Sequence, residues 1–214
     1  MMESYVTVRE RASDEIVIQK SRFLCFASPC DSEEEALAFL EELRAAYRDA
    51  THHCYAYITG TNGGTMRYSD DGEPGGTAGL PIISVMRTLN IVNCCVVIVR
   101  YFGGILLGTG GLVRAYTEGC KTALSAAGVV RMELTSHEFC EVPYSAWDSV
   151  RHEAKKFPVR ITDETFETAV TFRLSVRPRD RAEALEALTR AAGRNLTSIP
   201  EEESFDPWET DGES

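Results

Sequence analysis

The sequence has 214 residues, a formal net charge of −11, and 43% hydrophobic and 26% charged residues. These values are typical of a globular protein with one large core or two small ones. No apolar run approaches the roughly 20 residues of a membrane helix, and the N-terminus lacks the apolar stretch of a secretory signal. We therefore expect a cytoplasmic protein with no membrane partner.

The negative charge is concentrated at the C-terminus, where PEEESFDPWETDGES contains seven acidic residues and no base. Like charges and few apolar side chains predict a disordered tail over residues 201–214. The net charge disfavours bulk electrostatic capture of nucleic acid, so no DNA partner is expected. Residues 50–116 are slightly basic, which leaves a local contact with RNA possible.

The N-terminal half alternates strand and helix signals. Three β-forming runs open the chain: YVTV, EIVIQ and RFLCFAS. Ser32 and Glu35, at capping-box spacing, begin an amphipathic helix. The next predicted elements are a strand at 53–59, a helix opened by Pro81, a buried central strand at 93–99 and a helix ended by Gly128.

From about residue 130 the pattern changes to strand, helix, two strands, helix and strand. This βαββαβ order suggests a small ferredoxin-like sandwich. The sequence therefore predicts an α+β protein with an N-terminal domain at 1–129, a ferredoxin-like domain at 130–200 and the acidic tail.

Two glycine-rich segments lie in the N-terminal half, RYSDDGEPGGTAGLP and RYFGGILLGTGGLVRAY. The second lacks the lysine of a P-loop and the third glycine of a dinucleotide fingerprint. Amides of Gly108, Gly110 and Gly111 before a helix would still favour an anion such as phosphate. The alternative is that these glycines only permit tight turns.

Asp70, Asp71 and Glu73 of the first segment are candidates for a metal site or an acid–base pair, or for an ordinary exposed turn. The length of the irregular segment favours a binding loop. His52 and Cys54 alternate with His53 along a strand, without a C-x-x-C pair that would indicate zinc. The seven cysteines are irregularly spaced and predict buried, reduced thiols. No metal and no cofactor are predicted.

Four stretches together resemble the YigZ/Impact family over about residues 20–127: KSRFLC, ATHHCYAY, RYSDDGEPGGTAGLPI and VRYFGGILLGTGGLVRAY. The resemblance implies an N-terminal domain with a βαβ fold shared by a ribosomal protein and elongation factors. It also implies a C-terminal domain like the last domain of such a factor. Eukaryotic Impact relatives regulate translation initiation, which implies a partner in translation.

The positions that match the family pattern are expected to share one surface: Arg22, His52, Arg67, Asp70, Asp71, Glu73, Thr77, Arg100 and Arg114. Three positions depart from it. His53 stands where the family implies Asn, Gly75 where it implies Ser, and Leu106 where it implies Lys.

The favoured hypothesis is a non-enzymatic protein that binds RNA, the ribosome or a translation factor through this surface. The arginines would meet phosphates and the acids would orient the arginines. One alternative is a magnesium-dependent enzyme or nucleotide binder, with an acid of the first segment on the metal and Gly108 to Gly111 on phosphate. Another is that the C-terminal domain alone recognises the partner.

Overall fold

The computed structural model describes residues 3–208 and contains ten strands and five helices over that range. The strands are β1 Ser4–Val8, β2 Ala12–Ile18, β3 Ser21–Pro29, β4 His52–Thr59, β5 Thr65–Ser69, β6 Cys94–Tyr101, β7 Val129–Val142, β8 Val159–Phe166, β9 Val170–Val176 and β10 Thr197–Trp208. The helices are α1 Glu33–Ala46, α2 Gly79–Thr88, α3 Gly108–Ala127, α4 Tyr144–Ala154 and α5 Pro178–Ala191. The mixed α+β class predicted from the sequence is confirmed.

The described chain forms two compact units, one of residues 5–131 with 207–208 and one of residues 132–206 with 3–4. The boundary falls inside β7. Within residues 3–208, no helix has both the length and the apolar character needed to span a bilayer.

The larger unit is built on an antiparallel sheet of order β2-β3-β6-β4-β5. The central strand β6 is buried on both faces because its residues are almost continuously apolar. Val96 and Ile98 pack with α2 and α3 on one face, whereas Val97 and Val99 pack with α1 on the other. Gly119 lets α3 approach the sheet, since a Cβ there would lie 3.0 Å from Ile98.

The smaller unit has the predicted βαββαβ order, and its strands are arranged β10-β7-β9-β8, the order of a ferredoxin-like sandwich. β1 also pairs with β7 in this sheet. Buried Val142, Phe172 and Leu188 are part of its core.

The predicted disorder of the acidic tail is wrong for residues 201–208, which complete β10. Ordering follows from strand pairing to β7 and from two ion pairs, Glu201 with Arg173 at 2.8 Å and Asp206 with Arg160 at 3.3 Å. The rest of that prediction, over residues 209–214, lies outside the described residues.

All seven cysteines are buried and free, as the sequence predicts. Burial raises the pKa of each thiol, for example that of Cys25 to about 12. The thiols therefore stay protonated at neutral pH and pack as small apolar side chains.

Candidate functional site

Each glycine-rich segment leads from a strand into a helix on the same face of the larger unit's sheet. Residues 70–78, the acidic loop, join β5 to α2. Residues 102–107, the apolar loop, join β6 to α3. The irregular parts are shorter than the sequence suggested, because Thr65–Ser69 forms the edge strand β5 and both helices begin within their glycine runs.

Glu73 of the acidic loop is buried and pairs with Arg100 of the central strand β6 at 2.5 Å. The same carboxylate oxygen accepts the Tyr116 hydroxyl at 2.7 Å. Arg100 is 5% exposed, lies near the Phe23 and Phe102 rings, and donates to Ser21 Oγ at 3.3 Å. Its guanidinium is therefore unable to meet a phosphate directly, contrary to the sequence-based expectation.

Cys54 and Tyr116 extend this buried network. The Cys54 Sγ lies 3.0 Å from the carbonyl oxygen of Asp70 and 3.3 Å from the Tyr116 hydroxyl, and its single proton is donated to one of these two oxygens at a time. Burial raises the pKa of both groups well above their ordinary values, so both remain protonated and act as donors. The arrangement fixes the acidic loop and gives no activated nucleophile at Cys54.

Asp70 closes the N-terminus of α2. One carboxylate oxygen accepts the backbone N–H of Gly76 at 2.8 Å, and the other accepts those of Ala78 and Gly79 at 3.0 and 2.8 Å. Burial alone would raise the pKa of Asp70, but these three donors outweigh it and hold the pKa below its ordinary value. Asp70 is thus a helix cap supplied from eight residues upstream of Ala78.

Asp71 and its histidine neighbours hold the start of the acidic loop against β4. The Asp71 carboxylate accepts the backbone N–H of His53 at 2.6 Å and lies 3.6 Å from Arg44, while its carbonyl is 2.8 Å from His52 Nδ1. His52 Nε2 lies 3.9 Å from Glu73. Burial lowers the pKa of His53, so its ring is neutral at physiological pH.

The three carboxylates therefore accept hydrogen bonds from different donors and do not converge on one point. Across residues 3–208, no group of three His, Cys, Asp or Glu side chains is arranged to hold a metal ion. Thr77 is also buried and donates its hydroxyl to the carbonyl of Pro74 at 2.7 Å. The side chains of the acidic loop therefore bond to the protein itself and hold the loop in place.

The predicted shared surface is divided by the sheet. His52 pairs in register with Arg100, so both lie on the face covered by α2 and α3. Arg22 pairs with Tyr101, and Arg67 with Tyr57, which places these two arginines on the face of α1. Side-chain alternation along a strand separates the two sets, and the expectation of one surface is corrected accordingly.

Arg22 and Arg67 are exposed but have acidic neighbours. Arg22 is bonded to Glu15 at 2.8 Å and lies over the Tyr101 ring, and Arg67 lies 3.9 Å from Glu33.

The apolar loop differs because its side chains face solvent. Phe102, Ile105 and Leu106 are 45%, 42% and 85% exposed. Gly103 anchors the start of the loop, with its N–H donated to Ser21 Oγ at 3.2 Å and its Cα packed so tightly that a Cβ would lie 2.1 Å from the Lys20 carbonyl carbon.

The first turn of α3 has no side-chain cap, and Gly108 and Gly110 are exposed. Arg114 follows one turn later, with Nη1 3.8 Å from where a Cβ on Gly110 would lie. Within the described residues Arg114 has no ion-pair partner. Free amides and a free guanidinium therefore face solvent together, an arrangement that suits an anion.

Two members of the buried network were missed by sequence reasoning. Ser21 and Tyr116 were not singled out as partners of Glu73 and Arg100. Both lie within the stretches that carry the family resemblance, and that was the available signal.

Comparisons with known proteins identify the group to which these features belong. The Impact N-terminal domain matches residues 19–124, and a Domain of unknown function (DUF1949) matches residues 140–193. The IMPACT family member YvyE of Bacillus subtilis is 36% identical over 180 residues, 84% of this chain and 83% of the relative. The chain belongs to the Impact family.

Two further matches show how far this family relationship extends. The Protein IMPACT homolog of Saccharomyces cerevisiae is 34% identical over 100 residues, 45% of this chain and 39% of the relative. A crystal structure described as that of a hypothetical protein matches with a TM-score of 0.60 and 31% identity, covering 93% of this chain and 98% of that one.

Proposed function

We propose that this Impact family protein is a non-enzymatic binding protein of the translation apparatus that contacts RNA through the α3 surface, defined as Lys20, Phe102, Gly108, Gly110 and Arg114. The observation that carries the proposal is the uncapped first turn of α3 beside Arg114, which has no ion-pair partner among residues 3–208. Backbone N–H donors at a helix N-terminus together with a guanidinium match the oxygens of a phosphate.

Two neighbours of this turn support a nucleic-acid ligand. Phe102 is 45% exposed and its ring can stack on an unpaired base. Lys20 occupies a tight hairpin turn with φ 66°, adjacent to Gly103, and adds a cation with no ion-pair partner among residues 3–208.

Because the net charge is −11, binding of RNA depends on the local hydrogen-bond donors and cations of the α3 surface and not on the charge of the whole chain. A strongly acidic chain gains little from bulk attraction to phosphate, so recognition requires local donors. Membership of the Impact family, which includes the yeast homologue, supports a partner in translation.

The test is co-sedimentation with ribosomes from the source organism at low and moderate salt. We expect Arg114→Ala and Phe102→Ala each to reduce retention, and Arg114→Ala to lower the salt slope by about one, as for one lost phosphate contact. Arg67→Ala is the matched control, because it removes the same charge from the opposite face of the sheet.

Retention that is unchanged in Arg114→Ala and Phe102→Ala, or reduced equally in Arg67→Ala, would exclude the α3 surface. Loss of binding only on removal of charges from the ferredoxin-like unit would assign recognition to that unit instead.

A further inference from the structure

A groove lies between α2 and α3 in the larger unit, on the helix side of its sheet. It encloses about 620 Å³ and is lined on α2 by Leu80, Ser84 and Thr88 and on α3 by Val113, Thr117 and Lys121. Each set has four-residue spacing, so each occupies one side of its helix. The groove is therefore bounded by two rows of side chains, each of which extends over about two helical turns, roughly 12 Å of helix.

Three apolar side chains that line the groove are exposed to solvent. Leu80 and Leu89 are each 46% exposed and Val113 is 38% exposed. Pro81 and Val85 form part of the lining and are buried. Clustered exposed apolar side chains in a concave site are a feature of protein-binding surfaces.

Polar groups in the groove are few and partly satisfied. Ser84 donates its hydroxyl to the carbonyl of Leu80 at 2.7 Å, and Thr88 donates to that of Ser84 at 2.8 Å. Among the described residues that line the groove, Lys121 is the charged one and none is an acid. In the part of the chain that the structure describes, Lys121 has no ion-pair partner.

We propose that this groove is a docking site for an amphipathic helix of a partner protein that carries a carboxylate opposite Lys121. A helix fits because its i, i+4 and i+7 side chains form a ridge that can enter a groove bounded by two helical rows. Charge complementarity selects the partner, since a carboxylate would neutralise Lys121 in a setting that excludes water. The groove shares no residue with the α3 surface defined above, and the proposal does not depend on RNA binding.

The experiment uses a phage-displayed library of randomised helical peptides, selected on the full-length protein. We expect enriched peptides to combine apolar residues at i, i+4 and i+7 with an acidic residue at one end of that row. Their Kd for Lys121→Glu should rise about tenfold, and replacing the acid of a selected peptide by lysine should restore binding to that variant.

Lys155→Glu is the matched control, with the same charge change at an exposed position of the other unit. Val113→Asp is a second groove variant and should also reduce binding. Amide shifts in the NMR spectrum should map to residues 80–89 and 113–121.

Three outcomes would overturn the proposal. The first is a library that yields no enriched helix. Alternatively, enriched peptides bind Lys121→Glu and Val113→Asp as they bind the parent. The last is self-association of the protein alone, seen by sedimentation and abolished by Lys121→Glu, which would make a second copy the occupant.

Discussion

The acidic loop and the apolar loop are both rich in glycine, and both lead from the sheet into a helix on the same face. In the acidic loop, the carboxylates of Asp70 and Glu73 turn inward, one onto the N-terminus of α2 and the other onto Arg100. The apolar loop contains no acid, and its helix α3 begins without a side-chain cap. The two loops thus differ because the acidic loop has carboxylates that bond to the protein itself, whereas the apolar loop has none and leads into an uncapped helix.

Charged loop residues usually suggest a functional site, but the charged residues of the acidic loop bond within the protein. The acids and Arg100 have the residue types of a catalytic or recognition site, yet they are occupied with one another and with backbone donors. The exposed residues beside them are mainly apolar or glycine. The hydrogen-bond donors available to a partner are therefore those that have no acceptor within the protein.

The largest expected effect on stability comes from the contact between the acidic loop and the sheet. Glu73→Ala leaves the Arg100 charge buried without its carboxylate, and we expect a loss of about 3–5 kcal/mol in the free energy of unfolding. Urea unfolding at neutral pH measures it. The double variant Glu73→Leu with Arg100→Met should be more stable than Glu73→Ala, because neither charge remains buried.

Glu41→Ala serves as the control, since its pair with Arg44 is exposed and should contribute little. A change in Glu73→Ala no larger than in Glu41→Ala would mean that the buried pair does not hold the acidic loop.

The apolar loop is expected to depend on one backbone contact at Gly103. In Gly103→Ala the new Cβ would lie 2.1 Å from the carbonyl carbon of Lys20, so the hairpin or the loop must move. We expect destabilisation of about 3 kcal/mol, measured by urea unfolding. Gly75→Ala, in the acidic loop, is the matched control because a Cβ there meets nothing within 4 Å. Similar effects in the two variants would contradict this account.

The cap on α2 gives a smaller, pH-dependent effect. Asp70→Ala removes an acceptor for three backbone N–H groups, and we expect a loss of about 1–2 kcal/mol at neutral pH. The pKa of Asp70 is lowered from 3.8 in the folded protein, so its contribution is complete above that value and is lost as pH falls through the folded pKa.

Unfolding of the parent and of Asp70→Ala should therefore be compared at neutral pH and below pH 3.8, where the difference should shrink. A difference in stability that is constant with pH would show that the ionised carboxylate is not the capping group.

The sequence predicted elements whose signals are local. The Ser32 cap of α1 forms as expected, and β6 is central because its apolar run is continuous. β5 was missed because TMRYS is polar and lies between glycines, and its order comes from pairing with β4. The start of β10 was predicted, but its continuation over residues 201–208 was missed because Glu201 and Asp206 pair with Arg173 and Arg160, which are distant in sequence.

The site was harder to predict because it depends on register. The family resemblance identified Glu73 and Arg100, but their burial depends on contacts between distant parts of the chain, such as those of Glu73 with Tyr116 and of Arg100 with Ser21. Whether Arg67 shares a face with Arg100 is decided by strand alternation and by which residues pair across β4.

The smallest effect on stability is expected at Leu106, which is 85% exposed in the apolar loop. Leu106→Lys should change the free energy of unfolding by less than about 0.5 kcal/mol, because the side chain packs little. It adds a cation beside the uncapped turn of α3. We therefore expect stronger ribosome retention and a salt slope steeper by about one, measured by co-sedimentation.

Leu37→Lys, on the exposed side of α1, makes the same change on the opposite side of the sheet and should leave retention unchanged. If Leu106→Lys instead weakens binding while Leu37→Lys does not, Leu106 makes an apolar contact in the complex. The α3 surface would then recognise a protein rather than phosphate, because a lysine beside free amides favours an anion but is costly to bury in an apolar pocket.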